Sequence, residues 1–456
     1  MTNEVATAAQ PFVMDSTFWT ATIIFILAYA IIVSEKIHKT IVALFGAALM
    51  LVLKILEQRE AFHVEALGVD WNVIFLLISM MIIINLMRPT GFFEYIAIKS
   101  AKLGRGEPFR IMVIFAVVTA VLSAFLDNVT TVLLLAPVTL FIADALEVDA
   151  IPFLIAEALA SNIGGTATLI GDPPNIMIAS KAKLDFMSFI INLAPAIIVI
   201  MVAFLFVLKI IFGKKLKVKP ELKQRVLEMD EREAIKDPLM LKKSLFVLAI
   251  VTLGFMFHGM MNYQPATIAL FGAGLLLLLS GTHDPHRYLA EVEWPTIFFF
   301  MGLFIIIGGV VKVGLIEWMS LKVLAVTHGN MFGTSMLIMW FSAFASAFVD
   351  NIPYVATMNP LIIDMAHQVW PHLQGIKLLH NPELMPVWWS LALGACLGGN
   401  GTAIGASANV IIVGMSERAG KPISFIRFMA YGMPVMILTV ILATIYVWLR
   451  YYVLKI

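Results

Sequence analysis

Residues 123–131 read SAFLDNVTT and set an aspartate, an asparagine and two threonines inside an otherwise apolar stretch, 111–142. The phrase returns as SAFVDNI at 346–352. The offset of 223 residues also lays Trp71, Ile74, Phe75, Gly91, Glu94, Lys99 and Pro137 on Trp294, Ile297, Phe298, Gly314, Glu317, Lys322 and Pro360. One constant offset over so long a span marks an internal repeat. Before it, ALFGA at 43–47 recurs at 269–273, and beyond it GTATLIGDPPN at 165–175 aligns with GNGTAIGASAN at 399–409. The chain therefore divides into a tail at 1–16, a first repeat at 17–213, a charged linker at 214–242 and a second repeat at 243–456.

Composition names the solvent. Of 456 residues, 61% are hydrophobic and 13% charged, and the charges gather in short clusters between long apolar runs. That is the balance of an all-α polytopic membrane protein. Uncharged runs at 17–34, 71–87 and 294–311 approach the roughly 20 residues a helix needs to cross the hydrocarbon core. The amino terminus has Glu4 and Asp15 but no basic residue before its first apolar run, so that run is expected to stay as a helix instead of leaving as a signal peptide. A single cysteine, Cys396, excludes an intrachain disulfide and a cysteine-based metal cluster. The nine histidines lack the spacing of a metal enzyme. A net charge of +1 gives no reason to expect a nucleic-acid partner.

Each half parses alike: three spans, a charged amphipathic stretch, a helical hairpin with Asp-Asn at its turn, then two further spans. If the hairpin enters and leaves on one side, each half crosses five times, and the second half must sit upside down relative to the first. Basic residues agree with this. Segment 88–110 carries five Lys and Arg and its counterpart 312–330 carries two, while 214–243 holds ten. Short cytoplasmic loops collect such charges, so the linker is expected inside and both termini outside.

The stretches SNIGGTATLIGDPPNIM (161–177) and CLGGNGTAIGASANVII (396–412) cannot be continuous helices, because glycines and the pair Pro173, Pro174 break them. Non-helical backbone survives at membrane depth only where protein or a water-filled cavity satisfies it. Paired interrupted helices in inverted repeats mark a secondary transporter with its site at the repeat interface. The expected substrate- and ion-binding groups in the first half are Asp127, Asn128, Thr130, Thr131, Asn162, Gly165, Thr166 and Asn175. In the second they are Asp350, Asn351, Asn400, Gly401, Thr402, Ser407 and Asn409. A carboxylate at membrane depth is costly and usually handles ions or protons, so Asp127, Asp350, Asp172 and Glu157 are the proton-coupling candidates. The plainer role for both tip aspartates is capping the helix that follows, which is compatible with facing a cavity. Asp172 and Glu157 lie opposite Ala406 and Leu391, so these two break the repeat's symmetry. An intramembrane aspartyl protease is the competing enzyme reading. It fails because Leu169 stands where a G-x-G-D motif needs glycine, and because it leaves the repeat unexplained.

The motifs FLDNVTTVLLLAPVTL (125–140), NIGGTATLIGDPPNIMIAS (162–180), DNIPYVATMNPL (350–361) and LGACLGGNGTAIGASANVIIVG (393–414) resemble the ion transporter superfamily in its ArsB/NhaD branch. The nearest type is the permease represented by the P protein of pigment cells. The resemblance implies two inverted repeats with re-entrant hairpins, a scaffold and a mobile transport part, and a homodimer in the plasma (inner) membrane. Related divalent-anion symporters carry Ser-Asn-Thr at each tip. Asn128 and Asn351 match that asparagine, whereas Asp127 and Asp350 replace its serine and would repel an anion. The implied activity is secondary transport of a small inorganic ion by a proton-coupled exporter, with arsenite or antimonite first, sodium/proton antiport second, and an anion transporter or channel third. No cofactor is implied beyond a coupling proton or sodium ion.

Overall fold

The structure is a computed structural model that describes residues 14–213, 216, 218–282 and 284–456. Most of the tail expected at 1–16, with its terminus, and linker residues Lys214, Lys215 and Lys217 lie outside the described residues. Among those described, helix follows helix and no strand occurs. Eighteen helices have ten residues or more, nine in each half. In the first half they are α1 (Ser16–Ser34), α2 (Lys39–Val52), α3 (Trp71–Met87), α4 (Phe92–Leu103), α5 (Pro108–Phe125), α6 (Asn128–Ala145), α7 (Ile151–Gly165), α8 (Pro173–Ala182) and α9 (Phe186–Phe212). In the second they are α10 (Pro238–Met261), α11 (Pro265–Ser280), α12 (Trp294–Lys312), α13 (Leu315–Thr327), α14 (Met331–Phe348), α15 (Asn351–Val369), α16 (Met385–Gly398), α17 (Ser407–Arg418) and α18 (Phe425–Val447). Each helix of the first half has its counterpart nine places later. Nine helices among the described residues are long and apolar enough to cross a bilayer, which makes this a multi-pass membrane protein.

Two compact units form, and each draws on both halves. One contains the described residues up to Asp70 with Trp294–Val323. There α2 packs on α12, and glycines let the backbones approach: a Cβ at Gly302 would lie 2.7 Å from the Ala43 carbonyl. Lys312 closes this unit with an ion pair to Glu60 at 2.6 Å.

The other unit contains Trp71–Glu293 and Leu324–Ile456. Here α11 packs on α3, the same pairing with the halves exchanged. Its tightest contacts are α5 on α7 and α14 on α16. A Cβ at Gly164 would stand 2.1 Å from the Ala120 oxygen, and one at Gly398 would stand 2.5 Å from that of Ala343. Lipid is as apolar as leucine, so helices in a bilayer gain from such close small-residue packing more than from burying oil. The hairpins then cross over: α6 packs against α17 of the other half, and α15 against α8. The linker returns to the first hairpin, where Lys223 pairs with Glu107 at 2.5 Å, Lys102 pairs with Glu231 at 2.6 Å, and the Lys236 amide donates to the Thr90 carbonyl at 2.9 Å. Gly91 adopts φ +81° there, with a hypothetical Cβ 1.7 Å from the Ala234 oxygen, so only glycine fits.

Candidate functional site

Both tip aspartates cap the helix that follows them. Asp127 accepts the Thr130 amide at 2.7 Å and the Thr130 hydroxyl, and Asp350 accepts the Ile352 amide at 3.1 Å. Capping ties up one oxygen of Asp350, and its other oxygen receives the Ser407 hydroxyl at 2.9 Å. Ser407 opens α17, so this bond joins a hairpin tip to an interrupted helix of the same half.

The interruptions are held by asparagines. Unwinding frees backbone carbonyls that would otherwise lack donors. The Asn175 amide, in the first turn of α8, donates to the carbonyls of Thr168 at 2.9 Å and Thr166 at 3.2 Å. Its counterpart Asn409 donates to those of Gly399 and Thr402, both at 2.8 Å. Thr402 and Thr168 turn their own hydroxyls to the Ala347 and Ala124 carbonyls, and Thr166 turns its hydroxyl to the Asn162 carbonyl at 2.7 Å. Gly165 and Gly401 supply room: a Cβ would meet the Gly171 oxygen at 2.5 Å or the Ala347 side chain at 2.6 Å.

Two polar clusters result, each drawing on both halves. In the first, Asn162 accepts from Asn128 at 3.1 Å and spends both amide hydrogens across the repeat, on Asn400 and Asn409 at 3.0 Å each. In the second, the Asn351 amide lies 3.3 Å from both oxygens of Asp172, and the Cys396 thiol donates to Asn175 at 3.6 Å. Asn128, Asn162, Asp172, Asn175, Asn351, Asn400 and Asn409 are all buried, at 2% exposure or less. In the first cluster Asn128 Oδ1 and Asn400 Nδ2 are buried without a hydrogen-bond partner, as is Thr131 Oγ1 one turn further along α6. The amide oxygen can accept, the amide nitrogen can donate and the hydroxyl can do either. No Lys or Arg occurs in 111–180, 323–376 or 378–417, the segments that supply every residue named here. A cavity of about 350 Å³, lined in part by Asn72, Asp185, His258 and Gln264, reaches the first interruption at Leu169 and Ile176.

With this geometry in hand, comparison with known proteins assigns the lineage. Residues 29–394 match the family model described as citrate transporter, CitMHS. The chain belongs to the CitMHS family. Within reach of it, an uncharacterized transporter of Mycobacterium tuberculosis is 46% identical over 434 residues, covering 95% of this chain and 99% of the relative. A 46 kDa membrane protein of Mycobacterium leprae is 43% identical over 432 residues, covering 95% and 98%. The P protein of Homo sapiens is 31% identical over 500 aligned residues, covering 92% of this chain but 58% of the human protein. A multi-pass membrane transporter of the CitMHS family, with P-protein homologues, is therefore what this chain is.

Within this CitMHS member, the expected residues fall into three groups. Asn128, Asn162, Asn400 and Asn409 are bonded into one cluster, and Asn175, Asn351 and Asp172 into another. Asp127, Thr130, Asp350 and Ser407 sit at the tips. Glu157 is hydrogen-bonded to neither cluster and takes its hydrogen bond from Thr139 of α6. In the sequence Cys396 serves only to exclude a disulfide and a cysteine-based metal cluster. The signal was present, since the 234-residue offset lays Cys396 on Asn162. Each points at the half-helix asparagine of the opposite half.

Proposed function

We propose that this protein is a proton-coupled secondary transporter that exports a small oxygen-rich solute, with arsenite or antimonite first. The carrying observation is a cross-repeat site of buried amides and carboxylates with no Lys or Arg in the segments that build it. Arsenite near neutral pH is an uncharged trihydroxide, which the unpartnered oxygens of Asn128 and Thr131 and the amide of Asn400 suit. Carboxylates beside it take up protons and supply coupling. This reading agrees with the ArsB/NhaD branch that the sequence motifs resemble. Sodium/proton antiport is the second reading, favoured by the same oxygens of Asn128 and Thr131. The family description names citrate. A free tricarboxylate would be repelled by Asp127, Asp350 and Asp172, so on this site citrate travels only with its charge balanced by a bound cation.

The architecture we infer is two inverted repeats with re-entrant hairpins, five crossings per half, the linker cytoplasmic, both termini outside, and a homodimer in the plasma membrane. Its support is the repeat of nine helices, the exchange of partners between halves and the basic linker. Labelling of single cysteines from outside tests it: modification at a linker position overturns the orientation.

The decisive experiment is flux in proteoliposomes with an imposed pH gradient, run separately with arsenite, antimonite, sodium, and citrate with or without magnesium. Wild type moves one solute uphill and saturates, and Asp127→Asn and Asp350→Asn lose the uphill component while remaining folded. Normal gradient-driven flux in both variants would reduce the tip carboxylates to caps.

A further inference from the structure

Helices α5, α6 and α7 of the first half meet along a seam that carries an acid the second half lacks. Its upper end is tied off: Ser123 donates to the Ser161 carbonyl at 2.7 Å, and Ser161 donates to the Asn128 carbonyl at 3.0 Å. One helical turn earlier on α5 and α7 stand Thr119 and Glu157, and on α6 stand Thr131 and Thr139. The Thr139 hydroxyl donates to Glu157 Oε1. Every remaining oxygen is buried with no hydrogen-bond partner: Thr119 Oγ1, Thr131 Oγ1, Asn128 Oδ1 and Glu157 Oε2. Buried oxygens left unpaired are costly, and several of them on three helices packed together are the usual setting of internal water.

The second half supplies the control. The offsets place Ser342, Tyr354, Ile362 and Leu391 where the first half has Thr119, Thr131, Thr139 and Glu157. There the Tyr354 phenol reaches Ser342 directly at 3.0 Å, and aliphatic side chains replace the acid and its partner. A phenol and two aliphatic chains thus fill the equivalent seam, so the hairpin fold does not itself demand the four oxygens.

We propose that this first-half seam is a hydrated proton site, in which Glu157 holds a proton and exchanges it with the Asn128 tip through water bonded to Thr131 and Thr119. An O–H bond forms on Glu157 Oε2 as an O–H bond of a hydronium ion in the water chain breaks and leaves neutral water, and release reverses both changes, so the acid alternates between a buried neutral form and a carboxylate. The titratable groups on the helices packed around it are Arg110 on α5, Asp144 on α6 with Asp127 at its N-cap, Lys209 on α9, Cys396 on α16, Glu417 and Arg418 on α17, and Arg427, Tyr431 and Tyr446 on α18. The hydrogen bond that Glu157 receives comes from Thr139. The proposal deepens the proton coupling proposed above and rests on that reading only for its role in transport.

Infrared difference spectroscopy of the purified protein in lipid tests it without any transport assay. The expected result is a carboxylic-acid C=O band at neutral pH that is absent in Glu157→Gln and shifts promptly in D2O. Installing the second-half pair as Thr119→Ser with Thr131→Tyr keeps the band but slows its exchange at least about tenfold, as closing a solvent path to a buried group does. Should Glu157→Gln not fold, Glu157→Leu with Thr139→Ile, the second-half residues, serves as the null. No band lost on removing Glu157, a band abolished by sodium at fixed pH, or unchanged exchange in the tyrosine variant would each overturn the proposal. If the band behaves as expected while no solute follows a pH gradient, the site stands and the coupling reading falls.

Discussion

The two hairpin tips carry the same Asp-Asn pair and present it to different chemistry. At the first tip, Asn128 donates to an amide, Asn162, which passes its own hydrogens to Asn400 and Asn409. At the second, Asn351 faces a carboxylate, Asp172, with the Cys396 thiol where the first tip has Asn162. A duplicated scaffold thus places equivalent backbones, and single changes of side chain make the two ends unequal. At one end the tip asparagine meets a network of neutral amides, and at the other it meets a carboxylate.

The largest effects test the part the ends share. Gly164→Val and Gly398→Val put a side chain where even a Cβ lies 2.1 Å or 2.5 Å from a backbone oxygen. Overpacking against backbone that cannot yield costs roughly 1–3 kcal/mol or more, so both proteins should unfold early in detergent melts or fail to accumulate. One glycine proving freely replaceable would show that the two interhelical contacts are not equivalent.

Next come the changes that separate the ends. Asn162→Ala strands the side chains of Asn128, Asn400 and Asn409 together, and unpaired buried groups cost about 1–3 kcal/mol each. It should lower stability markedly in thermal denaturation. Asp172→Asn keeps the size and removes the charge, so stability should change little while flux driven by a pH gradient collapses. If Asp172→Asn instead melts the protein and Asn162→Ala does not, the assignment of the amide network to structure and the carboxylate to coupling is reversed.

Cys396→Ser should be milder, within about 1 kcal/mol in a melt, because a hydroxyl of similar size can still donate to Asn175. A thiol reagent should leave native Cys396 unmodified until the protein unfolds, given its burial.

The smallest effect concerns the linker. The Lys102 ammonium hydrogen-bonded to Glu231 holds that carboxyl below the ordinary value. Its contribution is therefore complete above the ordinary carboxylate range and is lost as pH falls through the lowered folded value. Limited proteolysis of the linker should quicken in acid, and Lys102→Ala should reproduce that quickening at neutral pH while leaving the two tips alike.

Much of this was legible without coordinates. The repeat fixed which helices correspond, because a duplicated gene keeps its spacing, and the glycines and prolines at 164–174 and 398–405 fixed where helices must break. The capping by Asp127 and Asp350 also followed from residue type. The cross-repeat bonds did not follow. Nothing in the spacing of Asn162 says that its amide divides between Asn400 and Asn409, or that Thr139 finds Glu157 across a helix interface, since those partners are set by how α6, α7 and α17 pack. Cys396 was set aside for the same reason: a lone cysteine has no sequence signature until its neighbours are known.

The amino-acid sequence by itself determined the solvent, the duplication and the polarity of the breaks, all of which depend on composition and on periodicities along one chain. Only the tertiary structure decided that each half completes the other. The second helix of one half lies on the third of its twin, and each hairpin leans on the other half's interrupted helix. Those pairings depend on shape and on hydrogen-bond direction between segments some 200 residues apart, as between Asn162 and Asn400, which stand 238 positions apart in the chain. A linear pattern carries no record of which distant surface will satisfy which buried donor.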